Sequence, residues 1–244
     1  MFSDAHCHLD EFAAPEKEIA ECRKAKVVSV VSNSVDLLTM KKNIALAEKF
    51  KEVKAALGIH PSNLLRMSRK EITEALSFVE ENIGSAAAIG EIGLDYKHAD
   101  TQAKKEKQKK SLELQLGIAE RFGKPAIVHS RLAVKDTIGI IKGRDCGILF
   151  HWFSGSLAEL REAIELGAFF SVGPAVEANP SIREIAKAVP GNRLLSETDS
   201  PVPFGGQNSA PHWIPRVVDA LAEARGEKAG KTAKEIGNNF KKFF

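Results

Sequence analysis

Eight short apolar segments alternate with longer charged segments along the whole chain, and this alternation constrains the fold more than any other feature. The apolar segments are rich in Val, Ile and Ala, and they are Phe2–Ala5, Val27–Ser32, Val53–Gly58, Ala86–Gly90, Ala126–His129, Gly147–His151, Ala168–Val172 and Leu194–Ser196. Runs of this length, bounded by Gly, Pro or Asn, are typical of buried parallel strands. The segments with helical spacing are Glu11–Lys26, Leu37–Phe50, Glu71–Ile83, Thr101–Phe122, Leu157–Leu166, Ile182–Val189 and Trp213–Arg225. The alternation predicts a parallel α/β sheet.

The number of strands separates two parallel architectures. Eight strands with intervening helices fit a (β/α)8 TIM barrel, and 244 residues is a usual length for one. An open doubly wound sheet would need a glycine-rich turn for phosphate after its first strand. Here the first strand ends in Asp4-Ala5-His6-Cys7-His8 instead. Because no linker or break in composition divides the chain, we predict one barrel domain over residues 1–244.

The composition excludes several other classes of protein. Hydrophobic residues make up 43% of the chain and charged residues 27%, which excludes a disordered or collagen-like chain. No segment approaches the roughly 20 apolar residues of a membrane span, and the first residues lack the pattern of an export signal. The three cysteines are an odd number and widely spaced, as suits a reducing compartment. We therefore expect a cytoplasmic protein with no membrane contact, and no obligate protein partner is evident.

Polar residues occur where the predicted strands end. Five of the seven histidines lie at or just past a strand end, and they are His6, His8, His60, His129 and His151. Glu91 follows the fourth strand and Asp199 follows the eighth. The carboxyl ends of barrel strands form one face, where residues from several strands meet. The sequence therefore predicts one polar cluster built from distant positions.

The first strand carries the clearest indication of a metal site. His6 and His8 are two residues apart, so that a strand points both rings the same way, with Asp4 on the same face. Imidazoles beside carboxylates form metal sites, although such a pair also occurs as ordinary hydrogen-bonding histidines. Glu91 lies among glycines and apolar residues, where a buried carboxylate needs a metal, an arginine or backbone donors.

Each of the remaining candidate ligands, taken alone, also has an interpretation other than metal binding. His129 and His151 each close an apolar strand, as core histidines also do, and the combination with the first strand favours ligands. Glu197 and Asp199 are both candidates on one face of the last strand. A carboxylate that binds a metal and also accepts a proton from water is what a metal hydrolase needs.

Other features of the sequence have ordinary explanations beside functional ones. The lysine-rich stretch 104–110 indicates a solvated helix face, or alternatively a surface that attracts phosphates near the barrel mouth. His98 is expected to be a solvated surface residue. Aromatic residues that could stack on bases lie in the loops, at Tyr96, Trp152, Phe153, Phe204 and Trp213.

Six motifs in order resemble the TatD family of metal-dependent deoxyribonucleases, which belongs to the amidohydrolase-like barrel hydrolases. They are Asp4-Ala5-His6-Cys7-His8-Leu9-Asp10, Gly58-Ile59-His60-Pro61, Gly90-Glu91-Ile92-Gly93-Leu94-Asp95-Tyr96, Val128-His129-Ser130-Arg131, Phe150-His151-Trp152-Phe153-Ser154-Gly155-Ser156 and Glu197-Thr198-Asp199-Ser200-Pro201. The resemblance runs from Asp4 almost to the C-terminus.

The resemblance implies a ligand set and an activity. One divalent ion would be held by His6, His8, Glu91 and Asp199, and a second by Glu91, His129 and His151. The ions would be Mg²⁺ or Mn²⁺, with Zn²⁺ as an alternative. Asp199 and Glu91 would be the catalytic residues, and His60 and Arg131 would contact a phosphate. The implied reaction is hydrolysis of DNA from a 3′ end, which makes single-stranded DNA or a 3′ end the expected partner.

Two alternatives remain at this point. A metal-dependent amide or carboxylic-ester hydrolase, such as a D-aminoacyl-tRNA deacylase, would use the same ligands on a carbonyl. A barrel that binds nucleic acid without turnover would not need all six ligand types. The sequence also departs from the family near the substrate, because Lys97 stands where an aromatic residue is common and residues 202–211 lack the acid of an Asn-Glu-Pro motif.

Overall fold

Eight parallel strands pair side by side in chain order, as seen in the computed structural model, which describes residues 1–244. The strands are β1 (Phe2–Cys7), β2 (Val27–Asn33), β3 (Val53–Leu57), β4 (Ala86–Asp95), β5 (Ala126–Arg131), β6 (Ile148–Phe150), β7 (Phe169–Val172) and β8 (Leu194–Ser196). The sheet curves into a (β/α)8 TIM barrel, so the predicted fold class is confirmed.

Helices connect the strands around the outside of the barrel. They are α1 (Pro15–Lys24), α2 (Leu37–Lys49), α3 (Pro61–Leu64), α4 (Arg69–Glu81), α5 (Gln102–Arg121), α6 (Val134–Ile141), α7 (Leu157–Glu165), α8 (Pro180–Ala188), α9 (Ile214–Arg225) and α10 (Ala229–Phe243). The loop after β8 contains a short hairpin of β9 (Pro203–Phe204) and β10 (Gln207–Asn208). No helix combines the length and the apolar character that crossing a bilayer requires.

Three of these helices are absent from the predicted segments, and they are the four-residue α3, α6 and α10. Helix α6 is short and rich in isoleucine, a composition that is also typical of a strand, and it buries Ile138 and Ile141. Helix α10 contains Gly230 and Gly237, which have low helix propensity, and it forms because its apolar face packs on the barrel.

Helix ends follow signals in the sequence. Pro15 occupies the first turn of α1, so this helix begins four residues later than Glu11, where the periodicity predicted it. Reciprocal capping boxes begin α4, where Ser68 pairs with Glu71, and α7, where Ser156 pairs with Glu159. These caps satisfy backbone N–H groups that have no partner within the helix.

Side chains of the strands fill the interior of the barrel, and helix α10 closes one end of it. Inward-facing residues of the strands form a buried cluster with Phe240 and Phe243 of α10. The Phe243 ring lies 5.0 Å from the ring of Phe169, at the start of β7. Asn239 donates to the carbonyl oxygen of Leu194, at the start of β8. Helix α10 therefore covers the amino ends of the strands and leaves the carboxyl ends open.

Strand β4 is longer than predicted and carries a ligand candidate in its middle. It continues past Gly90 to Asp95 and shifts register against β5 between Ile89 and Ile92. Gly93 has φ 142°, and a Cβ there would lie 2.0 Å from the carbonyl oxygen of His129. Only glycine allows this close approach, which keeps β4 and β5 paired beyond Glu91.

Candidate metal centre

All six predicted ligands meet at the carboxyl ends of the strands. His6 and His8 come from the end of β1, Glu91 from β4, His129 from β5, His151 from the turn after β6, and Asp199 from the loop after β8. Five of them line a cavity of about 510 Å³, and the sixth, His6, is fully buried next to it. The cavity lining also includes His60, Ser62, Asp95, His98, Ser130, Arg131, Trp152, Ser154 and Val202.

The carboxylate of Glu91 lies between two groups of imidazoles. Its Oε1 is 2.7 Å from Nδ1 of His129 and 2.7 Å from Nε2 of His151. Its Oε2 is 3.5 Å from the Nε2 atoms of both His6 and His8. One carboxylate therefore presents a different oxygen to each group, as a bridging ligand does.

Asp199 joins the group on the Oε2 side. Its Oδ1 is 3.2 Å from Nε2 of His6 and 3.5 Å from Nε2 of His8. Three groups of residues each bring their donor atoms within 4.8 Å of one another. These groups are His6–His151–Asp199, His6–His8–Glu91 and His60–Glu91–His129. The donors are imidazole nitrogens and carboxylate oxygens, which suit zinc, manganese or iron as well as magnesium.

The hydrogen bonding of the histidines fits a bound cation. Nδ1 of His8 lies 3.0 Å from the carbonyl oxygen of Asn33 and must donate to it, which leaves the lone pair of Nε2 aimed at Glu91 and Asp199. Nε2 of His6 is buried and has no hydrogen-bond partner. A metal ion accepts lone pairs of this kind, so the residues present fit the group that they would hold.

Two cavity residues adopt left-handed backbone conformations. Asp199 has φ 49° and Trp152 has φ 40°, a region that residues other than glycine rarely occupy. The backbone N–H of Trp152 donates to Oε1 of Glu197 at 2.7 Å, and Ser171 donates to Oε2 at 2.7 Å. Glu197 therefore does not join the ligand groups, and of the two acids left open by the sequence only Asp199 does.

Burial and neighbouring charges shift the pKa values of the ligand groups. Burial raises the pKa of Glu91, but the adjacent histidines outweigh this effect and hold its pKa well below the ordinary value. The pKa of Asp199 is lowered in the same way, because the adjacent imidazoles of His6 and His8 outweigh burial. Burial and the charge of His6 lower the pKa of His151 to about 4. Burial also opposes protonation of His6, His8 and His129, but the neighbouring carboxylates outweigh it and raise their pKa values, that of His129 to about 9. A bound cation would therefore displace protons from these imidazoles, because histidine binds a metal in its neutral form.

The two predicted substrate contacts lie in the same cavity at different depths. His60 is mostly buried, with Nε2 3.5 Å from Oε1 of Glu91, and burial lowers its pKa to about 3. The imidazole thus lies as close to Glu91 as His6 does. Arg131 ends β5 and is exposed at the cavity wall.

Sequence reasoning missed a pair behind His129. Asp95 is buried, and its Oδ2 lies 3.4 Å from Nε2 of His129 and 3.1 Å from Nδ1 of His98. His98 is exposed, as the sequence predicted, and its ring also lines the cavity. The signal was available, since Asp95 closes the same strand that carries Glu91 and a carboxylate beside a ligating imidazole is common.

Several lysines of the stretch 104–110 make contacts with neighbouring residues. Lys104 pairs with Asp100, Lys109 pairs with Asp136, and Lys107 donates to the carbonyl oxygen of Met67. These contacts favour the interpretation of α5 as a solvated helix. Of the five aromatic candidates, Trp152 lines the cavity and Phe153 is buried in the core.

Comparison with known proteins decides the family. The family model described as "TatD related DNase" matches residues 3–244. The chain belongs to the TatD family. It is 30% identical over 258 residues to a Bacillus subtilis protein named "Uncharacterized metal-dependent hydrolase YabD", covering 100% of this chain and 99% of that protein. It is 29% identical to the human "Deoxyribonuclease TATDN3", covering 99% and 93%.

Solved structures of the TatD family share the architecture. The crystal structure of YjjV, a TatD homologue from Escherichia coli, matches with a TM-score of 0.91 and 31% identity over 100% of this chain and 97% of that one. An organophosphorus hydrolase from Deinococcus radiodurans matches with a TM-score of 0.70 at 12% identity, which concerns the fold alone. As a TatD protein, the chain is a member of a metal-dependent hydrolase family.

Proposed function

We propose that this protein is a deoxyribonuclease that holds two divalent cations, Mg²⁺ or Mn²⁺, and hydrolyses phosphodiester bonds at DNA 3′ ends. The observation that carries the proposal is Glu91, whose two carboxylate oxygens face separate groups of imidazoles on the floor of one cavity. Two cations a few ångströms apart are the arrangement used by many phosphodiester hydrolases. The TatD relative named as a deoxyribonuclease supports the same activity.

The proposed ligands divide between the two oxygens of Glu91. His6, His8 and Asp199 would hold one cation on the Oε2 side, and His129 and His151 would hold the other on the Oε1 side. When bound, the cations supply Lewis acidity that lowers the pKa of water and offsets phosphate charge. Asp199 orients the attacking water and accepts its proton at Oδ2, because its Oδ1 faces His6 and His8.

The charge of the loaded site favours an anionic substrate. Two divalent cations would exceed the charge of the two ligand carboxylates, which leaves the cavity floor positive. Arg131 at the cavity wall adds a guanidinium that can bind phosphate oxygens in pairs. His60, neutral at its lowered pKa of about 3, lies between Glu91 and the open cavity, where it contacts the phosphate.

The shape of the site favours a strand end over an intact duplex. The ligands lie at the base of a cavity of about 510 Å³, a size typical of small-molecule sites. Trp152 on the cavity wall offers a ring for stacking an unpaired base, an interaction that tolerates any sequence.

The proposal is tested with a 5′-labelled single-stranded oligonucleotide. Purified protein is incubated with Mg²⁺, with Mn²⁺ and with EDTA, beside the Glu91→Ala variant. We expect a ladder that shortens from the 3′ end, requires a metal and is absent in the variant. A folded, metal-loaded protein that binds the oligonucleotide without cleaving it would overturn the proposal. Release of the amino acid from D-aminoacyl-tRNA without DNA cleavage would instead identify a carboxylic-ester hydrolase.

A further inference from the structure

We propose that Asp4 and Thr198 form a clamp that positions Asp199 for cation binding. Here the clamp means the Asp4 carboxylate together with the backbone N–H and hydroxyl of Thr198. The inference rests on the ligand set proposed above and is independent of whether the substrate is DNA. Neither residue is among the ligand candidates, and both are buried.

The clamp lies where the barrel sheet is open. The strand ladders run from β1 to β8, and no ladder pairs β8 with β1. Asp4 spans this gap, because its Oδ1 accepts from the Thr198 N–H at 3.0 Å and its Oδ2 accepts from the Thr198 hydroxyl at 2.5 Å. The same Oδ1 also accepts from the backbone N–H of His6 at 3.2 Å.

The carboxylate therefore holds both ligand-bearing segments at once. His6 is two residues after Asp4, and Asp199 follows Thr198 directly. Asp199 has φ 49°, a conformation that an aspartate rarely adopts without support from its neighbours. Once Thr198 is held, the N–H of Asp199 donates to the carbonyl oxygen of His6 at 2.9 Å, and Oδ1 of Asp199 comes within 3.2 Å of Nε2 of His6.

Closing the gap does not by itself require a buried acid. One step deeper, the hydroxyl of Ser196 donates to the carbonyl oxygen of Ser3 at 3.0 Å and bridges the same two strands. Asp4 is fully buried, and its hydrogen-bond donors are Thr198 and the backbone of His6. A buried carboxylate without an ion-pair partner is unfavourable compared with a hydroxyl. Of these two bridges between β1 and β8, only the one next to His6 and Asp199 uses a carboxylate. This placement indicates that Asp4 positions the ligand residues.

Ser196 also provides a matched control for the experiment. Thr198→Val removes the hydroxyl that reaches Asp4, and Thr198→Ser retains it. Ser196→Ala removes the corresponding hydroxyl one step deeper in the same gap. Mn²⁺ affinity is measured by calorimetry for the full-length protein and the three variants, and unfolding by urea is measured in EDTA.

We expect Thr198→Val to weaken Mn²⁺ binding about 10-fold, the lower end of the effect of residues that orient metal ligands. Thr198→Ser should bind Mn²⁺ as the wild type does, and Ser196→Ala should lose stability to urea without losing affinity. Equal Mn²⁺ affinity of Thr198→Val and wild type, or an equal loss in Ser196→Ala, would overturn the clamp. If Thr198→Val does not fold, Asp4→Asn replaces it with the same expected loss and the same refuting result. Absence of Mn²⁺ binding to the wild type would refute the ligand set itself.

Discussion

Asp199 contacts His6 twice, although 192 residues separate them in the chain. The backbone N–H of Asp199 donates to the carbonyl oxygen of His6 at 2.9 Å, and Oδ1 of Asp199 lies 3.2 Å from Nε2 of His6. The backbone contact brings the loop after β8 against β1, and the side-chain contact places a carboxylate beside an imidazole. The open edge of the sheet and the candidate metal centre are therefore built from the same residues.

Glu91→Gln should abolish the binding of cations. The amide keeps the shape of the side chain but removes the negative charge that two groups of imidazoles share. Mn²⁺ at about 100 times its dissociation constant should stabilise the wild type by about 2.7 kcal/mol and leave the variant unchanged. Thermal unfolding with and without Mn²⁺ measures this difference. The control is Glu81→Gln at the exposed end of α4, and a Mn²⁺ shift retained in Glu91→Gln would contradict the assignment.

Arg131→Ala should weaken substrate binding more than turnover. Its side chain is exposed at the cavity wall and is not among the ligand groups, so its loss should remove the proposed phosphate contact and leave the cation site intact. We expect KM for an oligonucleotide to rise about 10-fold with kcat nearly constant, and the salt dependence of binding to become shallower. Arg161→Ala, an exposed arginine on α7 outside the cavity lining, serves as the control. A large fall in kcat at unchanged KM would show that Arg131 acts on the chemical step.

Phe240→Ala should destabilise the fold without altering the cation site. Phe240 is buried among the residues that close the amino end of the barrel, opposite the cavity. Truncation of a buried phenylalanine costs about 3–5 kcal/mol. Urea unfolding followed by circular dichroism gives the loss, and calorimetry with Mn²⁺ should give an unchanged affinity for the folded fraction. A comparable loss of stability in Leu114→Ala, a mostly exposed side chain of α5, would argue against a specific role of this packing.

Tyr96→Phe should remove stability that depends on pH. The Tyr96 hydroxyl donates to Oδ2 of Asp136 at 2.6 Å, and this bond together with Lys109 lowers the pKa of Asp136. A lowered pKa stabilises the fold above the pKa of the unfolded aspartate, about 4, and the contribution disappears as pH falls below it. We expect the variant to be about 1 kcal/mol less stable at pH 7 and the difference to shrink toward acid. Urea midpoints at pH 7, 4 and 3 test this, and a difference that grew on acidification would contradict it.

The barrel was predictable because its pattern is repetitive and local. Each strand is a short, mostly apolar run, and eight of them in alternation with helices leave few architectures. The misses concern single elements. Helix α6 has a composition that resembles a strand, and β4 extends beyond Gly90 because its pairing with β5 continues past Glu91.

The sequence by itself determined the fold class and the residue types of the site, because hydrophobic periodicity and strand ends are properties of the chain in order. Only the tertiary structure decided which of these residues share the site and how. Glu197 and Asp199 lie in one motif, yet Glu197 binds Ser171 and the backbone of Trp152, and Asp199 faces His6. The exposed ring of His98 lines the cavity and lies 3.1 Å from buried Asp95. Such choices depend on distances between strands that are far apart in sequence, and no local pattern encodes those distances.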